Sequence, residues 1–408
     1  METHLAPEFA GTPIGQEAES ILRTCVHCGF CTATCPTYQL LGDELDGPRG
    51  RIYLLKKMFE GAAPSRITQQ HLDRCLTCRS CETTCPSGVH YSRLADLGRS
   101  VLEAKVARPL FDRLLRWGLR TVVAKPKRFA LALAVARAFA FLLPAAMRRK
   151  LPRPRPAGTW PEAINPRCVL VLDGCAQSVA TPLTNAAAAR IFARLGISLV
   201  CAEGAGCCGA LAHHLSAEEE ALSAMRRNID AWWPHIEQGA EAVLVTASGC
   251  GAQVKDYGAL LRHDAVYADK AARVSALARD PVELLAGLDL APLGQPGKGQ
   301  RVAFHAPCTL SHGQKLNGQV EAILARLGYI LTPVRDGHLC CGSAGSYSVL
   351  QPELSTRLRD NKLIALTGGE PEIVATANVG CQLHLESGAD RPVVHWLELL
   401  DVSTEAGR

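Results

Sequence analysis

Four groups of four cysteines account for sixteen of the eighteen cysteines in this 408-residue chain. The first two groups share one spacing, C-x2-C-x2-C-x3-C-P, and lie in "TCVHCGFCTATCPTY" and "CLTCRSCETTCP". They comprise Cys25, Cys28, Cys31 and Cys35, and Cys75, Cys78, Cys81 and Cys85. Because two residues separate successive cysteines, three sulfurs of each group can face one metal cluster, and the fourth ligand must come from elsewhere.

The doubled motif is typical of proteins that hold two [4Fe–4S] clusters, in which the fourth cysteine of each run binds the other cluster. We therefore predict one cluster on Cys25, Cys28, Cys31 and Cys85, and a second on Cys75, Cys78, Cys81 and Cys35. Structural zinc is the alternative, but zinc sites usually have two CxxC pairs rather than two complete runs. Nearby, Arg49 and Arg51 could add positive charge beside a cluster or lie on solvated surface.

The other two groups lie in an internal repeat whose copies begin at "CVLVLDGC" and "RVAFHAPC". Each copy alternates strand-like with helix-like segments and contains Cys-Cys-Gly. At offsets of 133, 133, 133 and 131, the repeat aligns Cys175, Cys207, Cys208 and Cys250 with Cys308, Cys340, Cys341 and Cys381. This alternation predicts two α/β units built on mostly parallel sheet, with the cysteines gathered at strand ends.

Each repeat carries enough thiols for one further metal centre. Four cysteines suffice for one iron–sulfur cluster or one zinc ion, and the sequence leaves both open. The glycine after each Cys-Cys pair permits the sharp turn that lets both sulfurs face one site. His384 could add an imidazole, although we interpret it as structural, and we expect Cys168 and Cys201 to be buried apolar side chains.

No residue set predicts a catalytic or cofactor-binding site beyond the cysteines. The sequence "GAGCCG" at residues 204–209 matches the dinucleotide pattern G-x-G-x-x-G. Its counterpart "HLCCGSAG" lacks the first two glycines, so the cysteine repeat explains this stretch better. We therefore predict neither catalytic residues nor nucleotide contacts.

Composition divides the chain into four segments. We predict an α-helical two-cluster ferredoxin domain at 15–100, a basic apolar helical connector with a Pro-rich linker at 101–165, and cysteine-rich units at 166–292 and 299–402. The net charge is +5, but residues 101–160 carry fourteen Lys and Arg against two acids, so the positive charge is local and a nucleic-acid partner is not expected. A start without a signal-peptide pattern and this many cysteines favour metal ligation in the cytoplasm over a secreted disulfide scaffold.

The connector contains an apolar stretch, "RFALALAVARAFAFLLPAAMRRK". From Phe129 to Leu143 it would span about 22 Å as a helix, less than the roughly 30 Å of a hydrocarbon core, and Arg137 lies at its centre. We therefore do not expect it to cross a membrane. Three roles stay open: an interfacial helix on anionic lipid, a docking surface for a partner subunit, and a helix packed between the two halves of the chain.

The tandem pattern of Cys, Cys-Cys-Gly and Cys behind two ferredoxin runs resembles the cysteine-rich CCG family. Its members include heterodisulfide reductases, small subunits of anaerobic glycerol-3-phosphate dehydrogenase, lactate-utilisation proteins and iron–sulfur subunits of bacterial glycolate oxidase. The stretches "TASGCGAQVKDYG" and "ANVGCQLHL" look most like the last group. Heterodisulfide reductases end each unit in CxxC, whereas this chain has Gln253 and His384 there, which argues against disulfide-reducing chemistry.

The resemblance implies an electron-transfer subunit. It would carry two [4Fe–4S] clusters, with one or two further iron–sulfur or zinc sites in the repeats, and no substrate site of its own. Partner subunits containing FAD would oxidise glycolate to glyoxylate, and the electrons would pass to a quinone or another acceptor. The expected location is the cytoplasm, with peripheral contact at the inner membrane left open. The alternatives are a heterodisulfide-reductase-like catalytic subunit and the electron-transfer subunit of a lactate or glycerol-3-phosphate dehydrogenase.

Overall fold

The computed structural model describes residues 1–144 and 148–401 and divides into two compact units. The first unit consists of Met1–Leu115 together with His338–Leu358. The second consists of Arg116–Gly337 and the chain from Arg359 onward. No helix in the described ranges is long and apolar enough to cross a membrane.

The first unit is helical. Its helices include Pro13–Thr24, Pro36–Leu41, Pro48–Phe59, Arg66–Asp73, Ser80–Thr84, Tyr91–Lys105 and Tyr347–Leu350, with 3-10 turns at Phe30–Thr32 and Glu44–Asp46. Three of these helices begin at proline, which is favoured in the first turn because its missing N–H has no helical partner there. The core is built on fully buried side chains such as Leu22, Leu55, Leu72 and Leu94.

The second unit contains two four-stranded sheets with the same topology. Their strands are β1 (Arg167–Val171), β2 (Ile197–Val200), β3 (Val243–Leu244), β4 (Ala278–Arg279), β5 (Arg301–His305), β6 (Ile330–Leu331), β7 (Ile373–Thr376) and β8 (Val393–His395). The strand orders are β2-β1-β3-β4 and β6-β5-β7-β8, and every pairing is parallel. The predicted fold class, a helical domain followed by a duplicated α/β domain, is confirmed.

Helices connect the strands, as parallel pairing requires. They are Gln177–Ala180, Pro182–Arg194, Ala210–His214, Glu218–Glu237, Ser248–Lys255, Tyr257–Leu260, Ala268–Leu277, Pro281–Leu285, Gln319–Arg326, Pro352–Thr367, Val379–Glu386 and Trp396–Leu400. A 3-10 turn at Ala291–Leu293 follows the first repeat, and a π-helical turn at Thr309–Gly313 follows Cys308.

The two repeats share one hydrophobic core. Phe192 of the first repeat and Val302 and Trp396 of the second belong to the same cluster of buried residues. At its edge, Arg190 donates to the Asp401 carboxylate at 2.6 Å. This shared core holds the two sheets in a fixed arrangement, so the loops at their strand ends are positioned together.

The segment before β1 is held against the second unit. The Arg155 guanidinium lies 3.1 Å from the Glu386 carboxylate and 3.4 Å from that of Glu398. The Arg190 guanidinium donates to the carbonyls of Ala157 and Thr159. The Pro-rich stretch therefore has no helix or strand, as expected of a linker, but its side chains and carbonyls fasten it to the repeats.

The observed units differ from the expected segments at two places: the expected connector is divided after Leu115, and part of the second repeat belongs to the first unit. The Cys-Cys-Gly segment of the second repeat, within His338–Leu358, groups with the ferredoxin domain instead of with its own repeat. A contact from the Arg357 guanidinium to the Leu40 carbonyl at 3.3 Å contributes to this grouping. The predicted end of the second repeat, at residue 402, lies outside the described residues.

The connector forms two helices, Leu110–Val122 and Pro126–Ala138, followed by a 3-10 turn at Ala140–Leu142. The first helix buries none of its residues, and the second buries only Leu133. Residues 145–147 of the apolar stretch lie outside the described part.

Candidate metal centres

The two ferredoxin motifs have the same backbone conformation. Left-handed φ angles occur at His27 (60°) and Gly29 (85°) in the first loop and at Thr77 (51°) and Arg79 (61°) in the second. Non-glycine residues seldom adopt this conformation, and such strain is concentrated at functional sites. The turns curl each loop around a space, and the Thr77 N–H points at the Cys75 sulfur, 3.4 Å away.

The first loop lines a cavity of about 430 Å³. Its cysteines are Cys25, Cys28 and Cys31 from the first motif with Cys81 and Cys85 from the second. The structure thus brings Cys85 to the first loop, whereas Cys35 is not among the lining residues. Burial and the neighbouring thiol of Cys25 raise the pKa of Cys31 to about 11, so this thiol is protonated unless a metal replaces its proton.

The second loop lines an adjacent cavity of about 360 Å³. Its cysteines are Cys75, Cys78 and Cys81 with Cys35 from the first motif. Tyr91 lines both cavities, and its hydroxyl donates to the Cys75 sulfur at 3.6 Å. The two thiol sets are therefore neighbours, with Cys81 and Tyr91 in the lining of both cavities.

Two buried arginines flank Cys75. Arg51 is 1% exposed and lies 3.4 Å from the buried Asp46 carboxylate. Arg99 donates to the carbonyls of Leu72 and Cys75 at 2.9 and 3.0 Å. Burial alone would raise the pKa of Cys75, but both guanidinium groups bring it below its ordinary value.

By contrast, Arg49 lies along the first cavity, where its side chain is 34% exposed and paired with Glu44. The sequence left open whether these arginines lie beside a cluster or on solvated surface. Arg51 is buried beside a cysteine set, in agreement with the first alternative. The two cavities therefore differ in the charge and burial of their surroundings.

The four thiols of the first repeat converge on one another. The Cys207 sulfur is hydrogen-bonded to Cys175 and Cys208, and Cys208 is also hydrogen-bonded to Cys250. The neighbouring thiols hold the pKa of Cys207 well below its ordinary value, while sharing their protons with it raises the pKa of Cys175 and Cys208. Four converging sulfurs, two of them buried and two half-buried, form the arrangement that a metal ion or cluster would complete.

Buried polar groups fix the Cys207–Cys208 backbone. Asn228 donates to the Cys207 carbonyl and the Tyr257 hydroxyl donates to the Cys208 carbonyl, both at 2.9 Å. The next residue, Gly209, has φ 87°, and a Cβ there would lie 2.9 Å from the Ala221 carbonyl oxygen. Glycine is therefore required at this turn for two independent reasons.

The second repeat has the same glycine turn after its Cys-Cys pair. Gly342 has φ 86°, and a Cβ there would lie 2.6 Å from the Ser355 carbonyl oxygen. Cys340 and Cys341 beside it are buried and belong to the first compact unit, whereas Cys308 and Cys381 are buried in the second.

The Cys250 helix and the segments that carry Cys308 and Cys381 are in direct contact. The hydroxyls of Ser248 and Thr309 lie 2.8 Å apart. The Asn378 side chain accepts from the Gly249 N–H at 3.2 Å and donates to the Cys381 sulfur at 3.5 Å. One side chain thus joins the cysteine segments of the two repeats.

A buried histidine that sequence reasoning missed lies beside Cys381. His305 is 1% exposed, and one of its ring nitrogens lies within 4.8 Å of the Cys381 sulfur. Burial and the nearby Lys362 charge keep its pKa well below the ordinary value, so the ring is neutral. The signal was present in "RVAFHAPC", where histidine precedes the first cysteine of the repeat by three residues.

Three further residues were expected to be buried or structural. His384, which we interpreted as structural, is 8% exposed. Cys168 is half-buried and Cys201 is exposed, so the expectation of two buried apolar thiols is wrong. Cys168 lies near the start of β1, and Cys201 directly follows the end of β2.

Comparison with known families matches three stretches of the chain. Residues 21–89 match the 4Fe-4S dicluster domain, and residues 169–255 and 302–386 match the cysteine-rich domain CCG. The glycolate oxidase iron-sulfur subunit of Escherichia coli K12 is 56% identical over 406 residues, covering 99% of this chain and all of the relative. The chain belongs to the glycolate oxidase iron–sulfur subunit family. The recognised resemblance and the two [4Fe–4S] clusters are thereby confirmed.

Two further relatives are less similar to this chain. The probable glycolate oxidase iron-sulfur subunit of Bacillus subtilis is 28% identical, covering 91% of this chain and 90% of the relative. Lactate utilization protein A of Bacillus licheniformis is 25% identical, covering 53% of this chain and 91% of the relative. The lactate-utilisation proteins thus match only about half of the glycolate-type chain.

Proposed function

We propose that this chain is the electron-transfer subunit of a flavin-dependent complex that oxidises glycolate to glyoxylate. The supporting observation is the pair of adjacent cysteine-lined cavities in a chain that matches a glycolate oxidase iron-sulfur subunit from end to end. Partner subunits containing FAD would remove two electrons from the substrate. This chain would accept them one at a time and pass them to a quinone or another acceptor.

The lining of the two cavities supports the proposed cluster ligands. Cys25, Cys28, Cys31 and Cys85 would hold one [4Fe–4S] cluster, and Cys75, Cys78, Cys81 and Cys35 the other. Each cluster, when bound, supplies a site that takes up and releases one electron. Cys81 lines both cavities, and we assign it to the second set because its own motif supplies the other two ligands there. The protein's residues fix the separation of the clusters and their electrostatic surroundings.

Buried cations would make the second cluster the better electron acceptor. Arg51 and Arg99 lie beside Cys75, and positive charge stabilises the more negative, reduced form of a cluster. The first set has Cys28 exposed to solvent and a half-exposed Arg49 paired with Glu44. Electrons would therefore enter at the first cluster and move towards the second.

The route onward would lead into the Cys340 segment. Tyr347, in that segment, is buried, and burial raises its pKa while Arg51, Cys75 and Cys340 are among the charged groups that act on it. Cys340 and its neighbour Cys341 would thus lie close to the second cluster. Within the second unit, Asn378 would link Cys381 to the helix that carries Cys250.

The proposed cellular location is the cytoplasm, with peripheral contact at the cytoplasmic face of the inner membrane. The Leu110–Val122 helix exposes apolar side chains at Leu110, Phe111, Leu114 and Trp117, which share one helical face. Arg113 and the following cations Lys125, Lys127 and Arg128 are exposed as well. An exposed apolar face with neighbouring cations suits the surface of an anionic bilayer.

The test is substrate-driven reduction of the clusters. The chain is co-purified anaerobically with its flavoprotein partners, and glycolate, lactate and glycerol 3-phosphate are added separately. Glycolate should reduce the clusters, as followed by EPR, with the others slower. Reduction by lactate or glycerol 3-phosphate alone would assign the chain to that dehydrogenase while leaving its electron-transfer role intact. Disulfide turnover by the isolated chain would instead support the heterodisulfide-reductase type.

A further inference from the structure

We propose that His305 is a ligand of the metal centre in the second repeat, so that this centre has a mixed thiolate and imidazole ligand set. The inference deepens the proposed function and rests on the repeat carrying a metal centre. It concerns a residue outside the four aligned cysteines. His305 ends β5, three residues before Cys308.

The position of His305 is that of a ligand at a sheet edge. In the register of the sheet it lies opposite Thr376, the last residue of β7, and Cys381 follows β7 in the next helix. The carboxyl ends of parallel strands gather functional side chains at one edge. A histidine and two cysteines of this repeat, Cys308 and Cys381, therefore leave the sheet at the same edge.

The imidazole lacks the hydrogen bonds that a buried structural histidine should have. Neither ring nitrogen of His305 has a partner among the described residues, although the side chain is 1% exposed. Leaving buried polar atoms unpaired destabilises the folded state. Proteins retain an unpaired buried polar atom where it binds another group, and we infer that the group here is a metal.

A second buried histidine in the same sheet provides an internal comparison. His395 of β8 lies on the other side of Thr376 in the register. Its Nε2 is 3.0 Å from the Thr246 carbonyl, and its Nδ1 accepts from the Leu397 N–H at 3.3 Å. His395 is thus satisfied as a structural residue, whereas His305, equally buried, is not.

The distance to Cys381 is compatible with a shared metal. Zinc binds imidazole nitrogen at about 2.1 Å and thiolate sulfur at about 2.3 Å, so two ligands of one ion lie no more than about 4.4 Å apart. The nitrogen and sulfur here are within 4.8 Å of each other. A small rotation of either side chain would suffice for both to bind one ion.

The first repeat has no counterpart of this histidine. At the offset of 133 that relates the first three cysteines, His305 corresponds to Leu172, which is 2% exposed and packed in the hydrophobic core. The first centre would therefore be all-thiolate and the second mixed.

The test compares metal content in His305→Leu, which introduces the side chain found at the first repeat, and His305→Cys, which restores a ligand. Iron and zinc per chain are measured in anaerobically purified full-length protein, with His384→Leu as the control. The expected result is loss of the second-repeat metal in His305→Leu only, with the EPR signals of the ferredoxin clusters retained. Wild-type metal content in His305→Leu would overturn the role of His305.

Two further outcomes are informative. Wild-type protein with only about eight iron and no zinc would show that the repeats carry no centre, which overturns this inference and leaves the ferredoxin clusters intact. If His305→Leu fails to fold, ¹⁵N-histidine labelling of the wild type decides the question. Pulsed EPR of the reduced centre, or of its cobalt form if the metal is zinc, should detect a directly bound nitrogen. Absence of that coupling would overturn the proposal.

Discussion

At the scale of single residues, buried charge distinguishes the two ferredoxin sites. Arg51 and Arg99 lie beside Cys75, and together they outweigh the effect of burial on the pKa of that thiol. Cys31 in the other set has its pKa raised to about 11, mainly by burial. The same residue type is thus placed in two different electrostatic environments by side chains outside the motif, and such surroundings influence the potential of a bound cluster.

Replacing Arg99 with glutamine should lower the midpoint potential of the second cluster, the one proposed to include Cys75. A unit charge about 8 Å away contributes about 2 kcal/mol at an effective dielectric constant of about 20, which is roughly 90 mV for one electron. Arg99→Lys retains the charge and should shift the potential much less. EPR-monitored redox titration measures both clusters. Equal potentials in the wild type and Arg99→Gln would contradict the role of this charge.

A second residue-scale prediction tests the exchange of ligands between the motifs. Cys35 lines the second cavity and Cys85 the first. Cys35→Ser should therefore chiefly damage the cluster on Cys75, Cys78 and Cys81, and Cys85→Ser the cluster on Cys25, Cys28 and Cys31. Iron analysis and EPR of the two variants should give complementary losses. Loss of the Cys25-based cluster in Cys35→Ser would show that the motifs bind their clusters separately.

At the scale of elements, the Cys-Cys-Gly turn determines whether the thiols converge. Gly209→Ala would place a Cβ 2.9 Å from the Ala221 carbonyl oxygen and force alanine into the left-handed region, which costs about 1–2 kcal/mol before the clash is counted. We expect lower thermal stability and loss of the first-repeat metal. Gly206→Ala, in the same loop, is the control because its nearest neighbour would be the Arg227 side chain at 3.8 Å. Equal metal content in both variants would contradict a requirement for the turn.

The thiols of the first repeat also predict a pH dependence for the metal-free protein. Cys207 has a lowered pKa, so its contribution to folding stability grows as the pH rises towards the ordinary thiol value of 9.0. Cys175 and Cys208 have raised pKa values, so their contribution is lost as the pH rises above 9.0. Stability of the chelator-treated protein should therefore be greatest near pH 9 and fall above it. Metal-loaded protein, whose thiolates are already deprotonated, should lack this fall in parallel thermal-denaturation measurements.

The repeat and its fold class could be predicted from sequence because cysteine spacing and strand–helix alternation are local signals. His305 could not be chosen among the histidines, since the deciding fact is that its ring lacks partners while His395 has them. The grouping of the Cys340 segment with the ferredoxin domain was also missed, because it depends on contacts such as Arg357 to Leu40. Contacts between residues distant in sequence leave no periodic signal in either segment.

At the scale of the whole molecule, the cysteine segments are neighbours within each of the two units. Tyr91 lines both ferredoxin cavities, Tyr347 lies in the electrostatic field of both Cys75 and Cys340, and Asn378 joins the cysteine segments of the two repeats. A chain that only bound metals for stability would not need its sites to be neighbours. The arrangement therefore favours transfer of electrons through the protein.

The connector predicts how such a chain would meet a membrane. Leu114 and Trp117 on the exposed face of the Leu110–Val122 helix are 54% and 57% exposed. Burial of one such side chain in a bilayer contributes about 1.5–3 kcal/mol, so Leu114→Gln with Trp117→Gln should weaken binding to phosphatidylglycerol-containing vesicles at least tenfold.

Wild-type binding should also weaken with salt and with neutral phosphatidylcholine vesicles, because the neighbouring cations attract anionic lipid. Vesicle sedimentation measures both effects, with Ile164→Gln and Val266→Gln, at exposed apolar positions elsewhere, as the matched control. If wild-type protein stays in the supernatant with anionic vesicles, or if the control weakens binding equally, this helix is not the membrane contact.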